Sequence, residues 1–372
     1  MPNPPHWLTA WVDFLAKSVV IGLAAAFVVV YFRPELLDQR EAVESYARAV
    51  ELSTPSVVNV HTARLVQDSP SVLLSEPFWQ RFFGDSPGLH RERIESSLGS
   101  GVIVSADGHI LTSNHVIEGA DEIRVALYDG RVISADIVGI DPETDLALLR
   151  IAEQNLPVIR FGRSDRLKVG DVALAIGNPV GLGQSVSQGI VSATGRSQLG
   201  ITIFENFIQT DAAINVGNSG GALVDTRGRL IGINTAMLSG ENGGAGIGFA
   251  IPVNLARGVM EQIIEHGRVI RGYLGIAPQT LSPELAESFG LDGPAGVVVT
   301  NVQPGSPAAQ VGIRPGDILT HINGRRVMDD HDLLNKVASL QPGEVAEIYL
   351  IRDDRTLTVE AMIAERGIPG RN

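Results

Sequence analysis

From residue 57 to residue 251 the chain runs in short apolar or alternating stretches divided by glycine, aspartate and asparagine. They fall at 57–60, 101–104, 110–112, 122–127, 146–151, 172–176, 190–194, 230–235 and 247–251. Many short strands at this spacing predict an antiparallel sandwich or barrel. Residues 66–97 interrupt them with Pro70, Pro77, Pro87 and the aromatics Phe78, Trp79, Phe82 and Phe83. A loop of that length reads as an active-site cover, a contact for another subunit, or a flap on its own domain, and the sequence leaves these open.

Helical spacing flanks this region on both sides. Residues 36–52 carry Val43, Tyr46, Ala47 and Val50, and Thr54-Pro55 ends the pattern. Residues 253–266 put Leu255, Val259, Ile263 and Ile264 on one expected face, with Gly267 as the stop. A new unit of about a hundred residues, an ordinary domain size, begins after Arg268. Its pattern predicts strands near 273–276, 296–302, 317–322, 344–351 and 356–363, and helices near 282–289 and 330–340. There is no internal repeat, and residues 367–372 are a short polar tail.

At the other end, residues 18–32 read SVVIGLAAAFVVVYF, with Lys17 before and Arg33-Pro34 after. Extended back through Phe14, with Trp7, Trp11, Tyr31 and Phe32 as interfacial aromatics, the run approaches the roughly 20 residues of a membrane span. A cleavable secretory signal is the competing reading. The small residues Ala24, Ala25 and Ala26 sit inside the apolar run, however, and its end is a poor cleavage site, so the expectation is a single N-terminal transmembrane anchor. Either way the rest is exported.

Composition removes whole classes of function. The net charge of -13 and the absence of a Lys/Arg cluster weigh against nucleic acid as a partner. With no cysteine, the chain has no disulfide, no thiolate catalyst and no cysteine metal site.

The candidate chemistry centres on residues 215–223, where Ser219 stands among Gly217, Gly220 and Gly221. A nucleophilic serine needs a sharp exposed turn and nearby backbone N–H groups to hold an oxyanion, which glycines permit. The expected base is His115, where an alternating run ends in a polar turn. Asp145 stands just before the apolar run 146–151, a setting that buries a carboxylate against the imidazole. Asp141 is the rival acid, but the proline after it favours an exposed turn residue.

The three together, in the order His, Asp, Ser within an all-β segment, resemble the HtrA (Deg) serine proteases. Thr-Ser-Asn-His-Val at 112–116, Asp-Pro-Glu-Thr-Asp-Leu-Ala at 141–147 and Gly-Asn-Ser-Gly-Gly-Ala-Leu at 217–223 match that family's catalytic motifs, with further likeness at 207–215 and 232–235. The resemblance implies an all-β chymotrypsin-like double β-barrel and a serine endopeptidase with catalytic His115, Asp145 and Ser219, needing no cofactor or metal. It assigns an oxyanion hole to Gly217, Asn218 and Ser219. No acid stands at an obvious pocket position, so a small apolar substrate pocket is expected from Ile214, Ile233, Asn234 and Thr235.

Arg-Gly-Tyr-Leu-Gly-Ile at 271–276 resembles the carboxylate-binding loop of PDZ domains, an α+β fold that this family carries after its protease. Tyr273, Leu274, Gly275 and Ile276 are then the peptide-binding residues, and Leu333, Leu334 and Val337 form the far wall of the groove. The implied division is a cytoplasmic stub and transmembrane anchor at 1–35, a trypsin-like protease domain at 36–267, one PDZ domain at 268–366 and a tail at 367–372. One PDZ domain and an anchor are similar to the DegS and AlgW branch. That branch implies a homotrimer at the periplasmic face of the inner membrane, activating C-terminal peptides of outer-membrane proteins, an anti-sigma factor as protein substrate, and a sensor loop at 194–207 pivoting on Arg196. Broad quality-control proteolysis, or a PDZ chaperone or scaffold, are the other readings.

Overall fold

The computed structural model describes residues 6–32, 45–66, 93–177, 184–197, 199–215, 217–237, 246–288, 296–353 and 355–367. It divides into two compact units, 1–47 and 48–372.

In the first unit a 27-residue helix, His6–Phe32, carries the apolar run. Its described large apolar side chains, Val19 to Phe27 among them, are all more than half exposed. At 1.5 Å per residue it is about 40 Å long. The side chains at 6–10, 12, 13, 26, 29, 30 and 32, the expected interfacial aromatics Trp7 and Phe32 among them, lie outside the described residues, and among the described residues no helix is long and apolar enough to cross a membrane. Of the expected helix at 36–52, residues 33–44 lie outside the described residues, and a helix is observed over Ala47–Ser53.

The second unit begins with the expected short strands, which close into two barrels. β1 (Val57–Val66), β2 (Arg93–Ile103), β3 (His109–Ser113), β4 (Glu122–Ala126), β5 (Val132–Asp141) and β6 (Leu146–Ile151) form a closed ring in the order β1-β2-β3-β6-β5-β4. β4 buries Ile123 and Val125 and exposes Glu122 and Arg124, the period-two alternation of a strand with one face on the core. Val58, Val60, Ile103, Ile110, Val125 and Leu149 fill the ring. Val66 pairs with Arg93, so the strands reach well into the expected loop at 66–97. Residues 67–92, with Phe78, Trp79, Phe82 and Phe83, lie outside the described residues.

β7 (Arg160–Phe161), β8 (Val172–Gly177), β9 (Ser185–Arg196), β10 (Phe207–Thr210), β11 (Ala222–Val224), β12 (Arg229–Met237) and β13 (Gly248–Pro252) form a second sheet in the order β11-β8-β9-β10-β13-β12-β7. A further pairing of β11 with β12 turns six of these strands into a barrel. Its core is Ala173, Ala175, Val191, Ile208, Leu223, Ile231 and Ala250. The helix Val253–His266 follows and ends on Gly267 at φ 72°. It buries Val253, Ala256, Val259 and Ile263, whereas Ile264 is half exposed, so the buried face is rotated from the one its sequence suggests.

The last domain has a sheet in the order β15 (Ile276–Thr280), β16 (Val297–Val302), β17 (Ile318–Ile322), β19 (Val345–Arg352), β20 (Arg355–Met362), with β18 (Arg325–Arg326) paired to β17. β14 (Gly272–Tyr273) and β21 (Ala364–Glu365) form a separate ribbon. The helix Asp330–Ala338 turns Leu333 and Val337 into the core, and its first turn is capped by the Asp329 carboxylate accepting from the Asp332 N–H.

This domain meets the barrels through buried charge. Arg271 donates from Nη1 to Asp141 Oδ1 at 2.8 Å and from Nη2 to Asp141 Oδ2 at 2.5 Å, and also reaches Glu143 at 3.2 Å. The Arg271 and Asp141 side chains are 9% and 4% exposed. Removing one member of such a pair strands the other charge, at a cost of about 3–5 kcal/mol. Arg271→Met is therefore expected to lower the unfolding free energy in urea by about that amount, with Arg271→Met/Asp141→Asn regaining much of it. A double variant whose loss equals the sum of the separate Arg271→Met and Asp141→Asn losses would show that the pair is not coupled.

Candidate active site and peptide groove

Each of the three chemical side chains is placed by a different turn at the seam between the barrels, where β1 and β2 contact β8 and β3 contacts β12. β3 ends in a single helical turn, Asn114–Ile117, which carries His115. Asp145 ends the turn 141–145 with φ 59°, and its backbone carbonyl accepts from the Asn114 N–H at 3.1 Å. That left-handed residue aims the carboxylate back at His115. Asp145 Oδ2 lies 2.7 Å from His115 Nδ1, and Oδ1 accepts the His115 backbone N–H at 2.9 Å. A carboxylate on Nδ1 leaves Nε2 as the nitrogen able to take a proton.

Thr235 completes this arrangement. Its hydroxyl donates to Asp145 Oδ2 at 2.6 Å, and its carbonyl accepts from the Ser219 hydroxyl at 3.2 Å. One residue of β12 thus braces the acid and parks the nucleophile. The sequence placed Thr235 in a substrate pocket; the signal that would have found its role is a hydroxyl one residue beyond a buried strand run.

The serine turn is held equally firmly. Gly217 has φ 100° and Gly220 φ 80°, angles that favour glycine. The Ser100 hydroxyl donates to the Gly217 carbonyl at 2.7 Å, and the Ser100 N–H to the Ser219 carbonyl at 2.8 Å. A Cβ at Gly220 would lie 2.2 Å from the Ser100 carbonyl, and one at Gly221 2.4 Å from the Ile176 carbonyl. What these two glycines admit is the protein's own backbone.

Among the described residues the N–H groups of Gly217 and Ser219 have no acceptor, so both are available to an oxyanion. Asn218 differs from its expected role. Its N–H donates to the Asn215 carbonyl at 3.1 Å, its Oδ1 accepts from the Asn215 N–H at 3.0 Å and its Nδ2 donates to the Ala213 carbonyl at 3.1 Å. In this geometry Asn218 braces the loop, and its backbone N–H is committed to Asn215 and not to the hole.

Of the expected pocket residues, Ile214 lies against Gly248, where a Cβ would come within 2.8 Å of its side chain. Ile233 and Asn234 are fully buried, and the Asn234 amide donates to the Ala222 carbonyl at 3.2 Å. Neither offers a surface to a ligand here. Asp141, expected to be exposed, is 3% exposed because Arg271 and the Thr144 hydroxyl satisfy its carboxylate.

The second site is a groove between β15 and the helix Asp330–Ala338. Its walls bring together the expected Tyr273, Leu274, Gly275 and Ile276 with Leu333, Leu334 and Val337. Gly275 takes φ 83°, and a Cβ there would lie 2.2 Å from that of Ser306. The Gly275 and Leu274 carbonyls accept from the Gln303 and Ala308 N–H groups. With its carbonyls turned into the fold, this loop presents N–H groups to a carboxylate.

Sequence reasoning missed the end of the groove. Phe204, from the segment between β9 and β10, and Arg366 also line it. Arg271 and Arg366 stack on the Phe204 ring at 4.5 and 5.4 Å. The neighbouring Glu205 is 1% exposed and accepts the N–H groups of Leu199 and Ile201, each at 2.7 Å, while its carbonyl accepts from Asn335 in the groove helix at 3.0 Å. Arg196, the expected pivot, donates instead to Gln209 at 2.8 Å in an exposed position.

Comparison with known proteins finds a domain family for each of the two regions. Residues 99–233 match the trypsin-like peptidase domain family and residues 272–363 the PDZ domain family. The chain is 41% identical to serine endoprotease DegS of Escherichia coli, over 94% of this chain and 98% of that one. It is 42% identical to the periplasmic pH-dependent serine endoprotease DegQ of the same organism, over 95% of this chain and 78% of DegQ. A solved structure, the HtrA-type protease AlgW with decapeptide, aligns with a TM-score of 0.73 at 51% identity, covering 87% of this chain and all of that one.

Deleting the hydroxyl that braces Asp145 tests the geometry of the first site. A hydrogen bond to a charged group is worth about 1.5–3 kcal/mol, so Thr235→Val is expected to lower kcat roughly 10- to 100-fold if that bond positions the acid in the transition state. An unaltered kcat in steady-state peptide hydrolysis would show that the hydroxyl does not position the acid.

Proposed function

The chain belongs to the HtrA family of trypsin-like serine endoproteases, and from that premise we propose that it is a periplasmic, membrane-anchored protease switched on by peptide C-termini in its PDZ groove. Its protein substrate on this reading is an anti-sigma factor, cut in its periplasmic part, and the activating peptides come from misassembled outer-membrane proteins. The working form is a homotrimer, and the helix His6–Phe32 is the anchor. The apolar run at 18–32 and the exposed apolar side chains of the helix's described residues support that role, and the name of DegQ supports the compartment.

The chemistry follows from the three side chains. Rotation of the Ser219 hydroxyl off the Thr235 carbonyl brings it to His115 Nε2, which takes its proton as the oxygen attacks the substrate carbonyl. Asp145, held by Thr235, stabilises the resulting imidazolium. The N–H groups of Gly217 and Ser219 hold the oxyanion, each worth about 3 kcal/mol in related hydrolases. His115 then returns the proton to the leaving amine.

The observation that carries the switch is Arg271. It stands directly before the carboxylate loop, grips Asp141 at the start of the turn that ends in Asp145, and stacks on Phe204 at the end of the groove. A ligand pressing on Phe204 thereby acts on the residue that fixes the acid's turn. Arg196, with its bond to Gln209, stays an outlying member of the same relay. The second reading is broad digestion of unfolded proteins, for which the same three side chains would serve; DegQ, by name a periplasmic serine endoprotease, is as similar to this chain as DegS is. An idle triad serving a chaperone or scaffold has no such support.

Purified protein should cleave a candidate anti-sigma periplasmic domain only when a peptide with an apolar C-terminus is added, and Ser219→Ala should abolish cleavage while still binding that peptide. Digestion of unfolded casein without any peptide would favour broad quality control, and cleavage surviving in Ser219→Ala would overturn the nucleophile.

A further inference from the structure

We propose that Pro278 shortens the peptide footprint of the groove, so that recognition is confined to the last few residues of the ligand's C-terminus. This rests on the reading of the groove as a C-terminal peptide site. In the observed strand order β15 is terminal, and among the described residues no strand pairs with its outer edge. A peptide that docks here extends the sheet along that edge.

The hydrogen bonds fix which residues of β15 face the newcomer. Gln303 N–H donates to the Gly275 carbonyl at 2.9 Å, so the next pair inward, Ile276 with Val302, is a non-hydrogen-bonded pair. Ile276 therefore turns its own N–H and carbonyl to the outer edge. Ala277 turns inward, and its carbonyl accepts from the Thr300 hydroxyl at 2.9 Å. The ladder then slips by one residue on β16, where Pro278 faces Val299, so the alternation along β15 itself is undisturbed. Pro278 is the next residue to face outward, and its ring lines the groove with Ile276.

Proline has no N–H. It is tolerated in a strand where its nitrogen faces an unpaired edge, and here that edge is the peptide's. The terminal carboxylate goes to the loop, and the last residue's N–H to the Ile276 carbonyl. Two residues further back the peptide N–H still has the Pro278 carbonyl, but the peptide carbonyl beside it has no donor. The ladder loses its second rung, and residues beyond that point gain little from strand pairing.

The test compares an acetyl-Gly-Ala-Phe tripeptide with a decapeptide extended from its N-terminal side, titrated against the full-length protein by fluorescence anisotropy competition. The wild-type chain should bind the two within about threefold, one net hydrogen bond being worth a factor of about two to ten. Pro278→Ala restores the donor for the carbonyl of the third residue from the C-terminus, which both peptides carry, and should tighten both by that same factor. A decapeptide bound more than tenfold tighter than the tripeptide by the wild type, or an affinity for either peptide that is unchanged or weakened in Pro278→Ala, would overturn the assignment. C-terminal amidation of both peptides separates the two layers: undiminished binding of the amides would overturn the carboxylate reading itself, whatever the effect of Pro278→Ala.

Discussion

The ion pair between Arg271 and Asp141 is the constraint on which the rest of the second unit depends. Both charges are taken almost wholly out of water, a state that costs several kcal/mol per ion unless each has its partner and its remaining hydrogen bonds. Asp141 receives both guanidinium nitrogens and the Thr144 hydroxyl, while Glu143 is shared between Arg271 and Arg366. The turn 141–145 cannot shift without breaking this set. Its other end is Asp145, so the PDZ domain's first arginine determines where the acid of the triad stands.

The two carboxylates of that turn divide the work. Asp141 faces the peptide-binding domain and Asp145 faces His115, with a left-handed residue needed to send the second one back. Phe204 extends the connection to the groove through the faces of two arginines, an arrangement worth about a kilocalorie per contact and sensitive to ring position. The Ser219 turn is tied across the barrel seam by Ser100 and Thr235, so the nucleophile and the acid rest on a common frame. Function here follows from cross-links between loops that no single strand could provide.

The groove shows the same economy from the opposite direction. Its shape depends on what the backbone omits: Gly275 omits a side chain so that its loop can close on Ser306, and Pro278 omits a donor on the outer edge of β15. In a β-augmentation site the main chain supplies much of the affinity, so one missing N–H changes how far along the ligand recognition extends.

The amino-acid sequence by itself determined the two-domain order, the short strands, and the identity of His115, Asp145 and Ser219. Those follow from local pattern: period-two alternation, glycines flanking a serine, a carboxylate before an apolar run. Tyr273 to Ile276 were marked by the resemblance of residues 271–276 to the carboxylate-binding loop of PDZ domains. Tertiary structure alone decided the rest. Asp141 followed by proline reads as a surface turn, yet a guanidinium 130 positions away buries it. Thr235 reads as pocket and Asn218 as hole, but each is committed to hydrogen bonds whose partners come from other strands and loops. The face of the helix Val253–His266 is rotated because barrel strands, and not its own periodicity, cover Val253 and Ala256. Local composition encodes which elements form; long-range partners, invisible in any short window, decide which buried polar groups are satisfied and therefore which residues act.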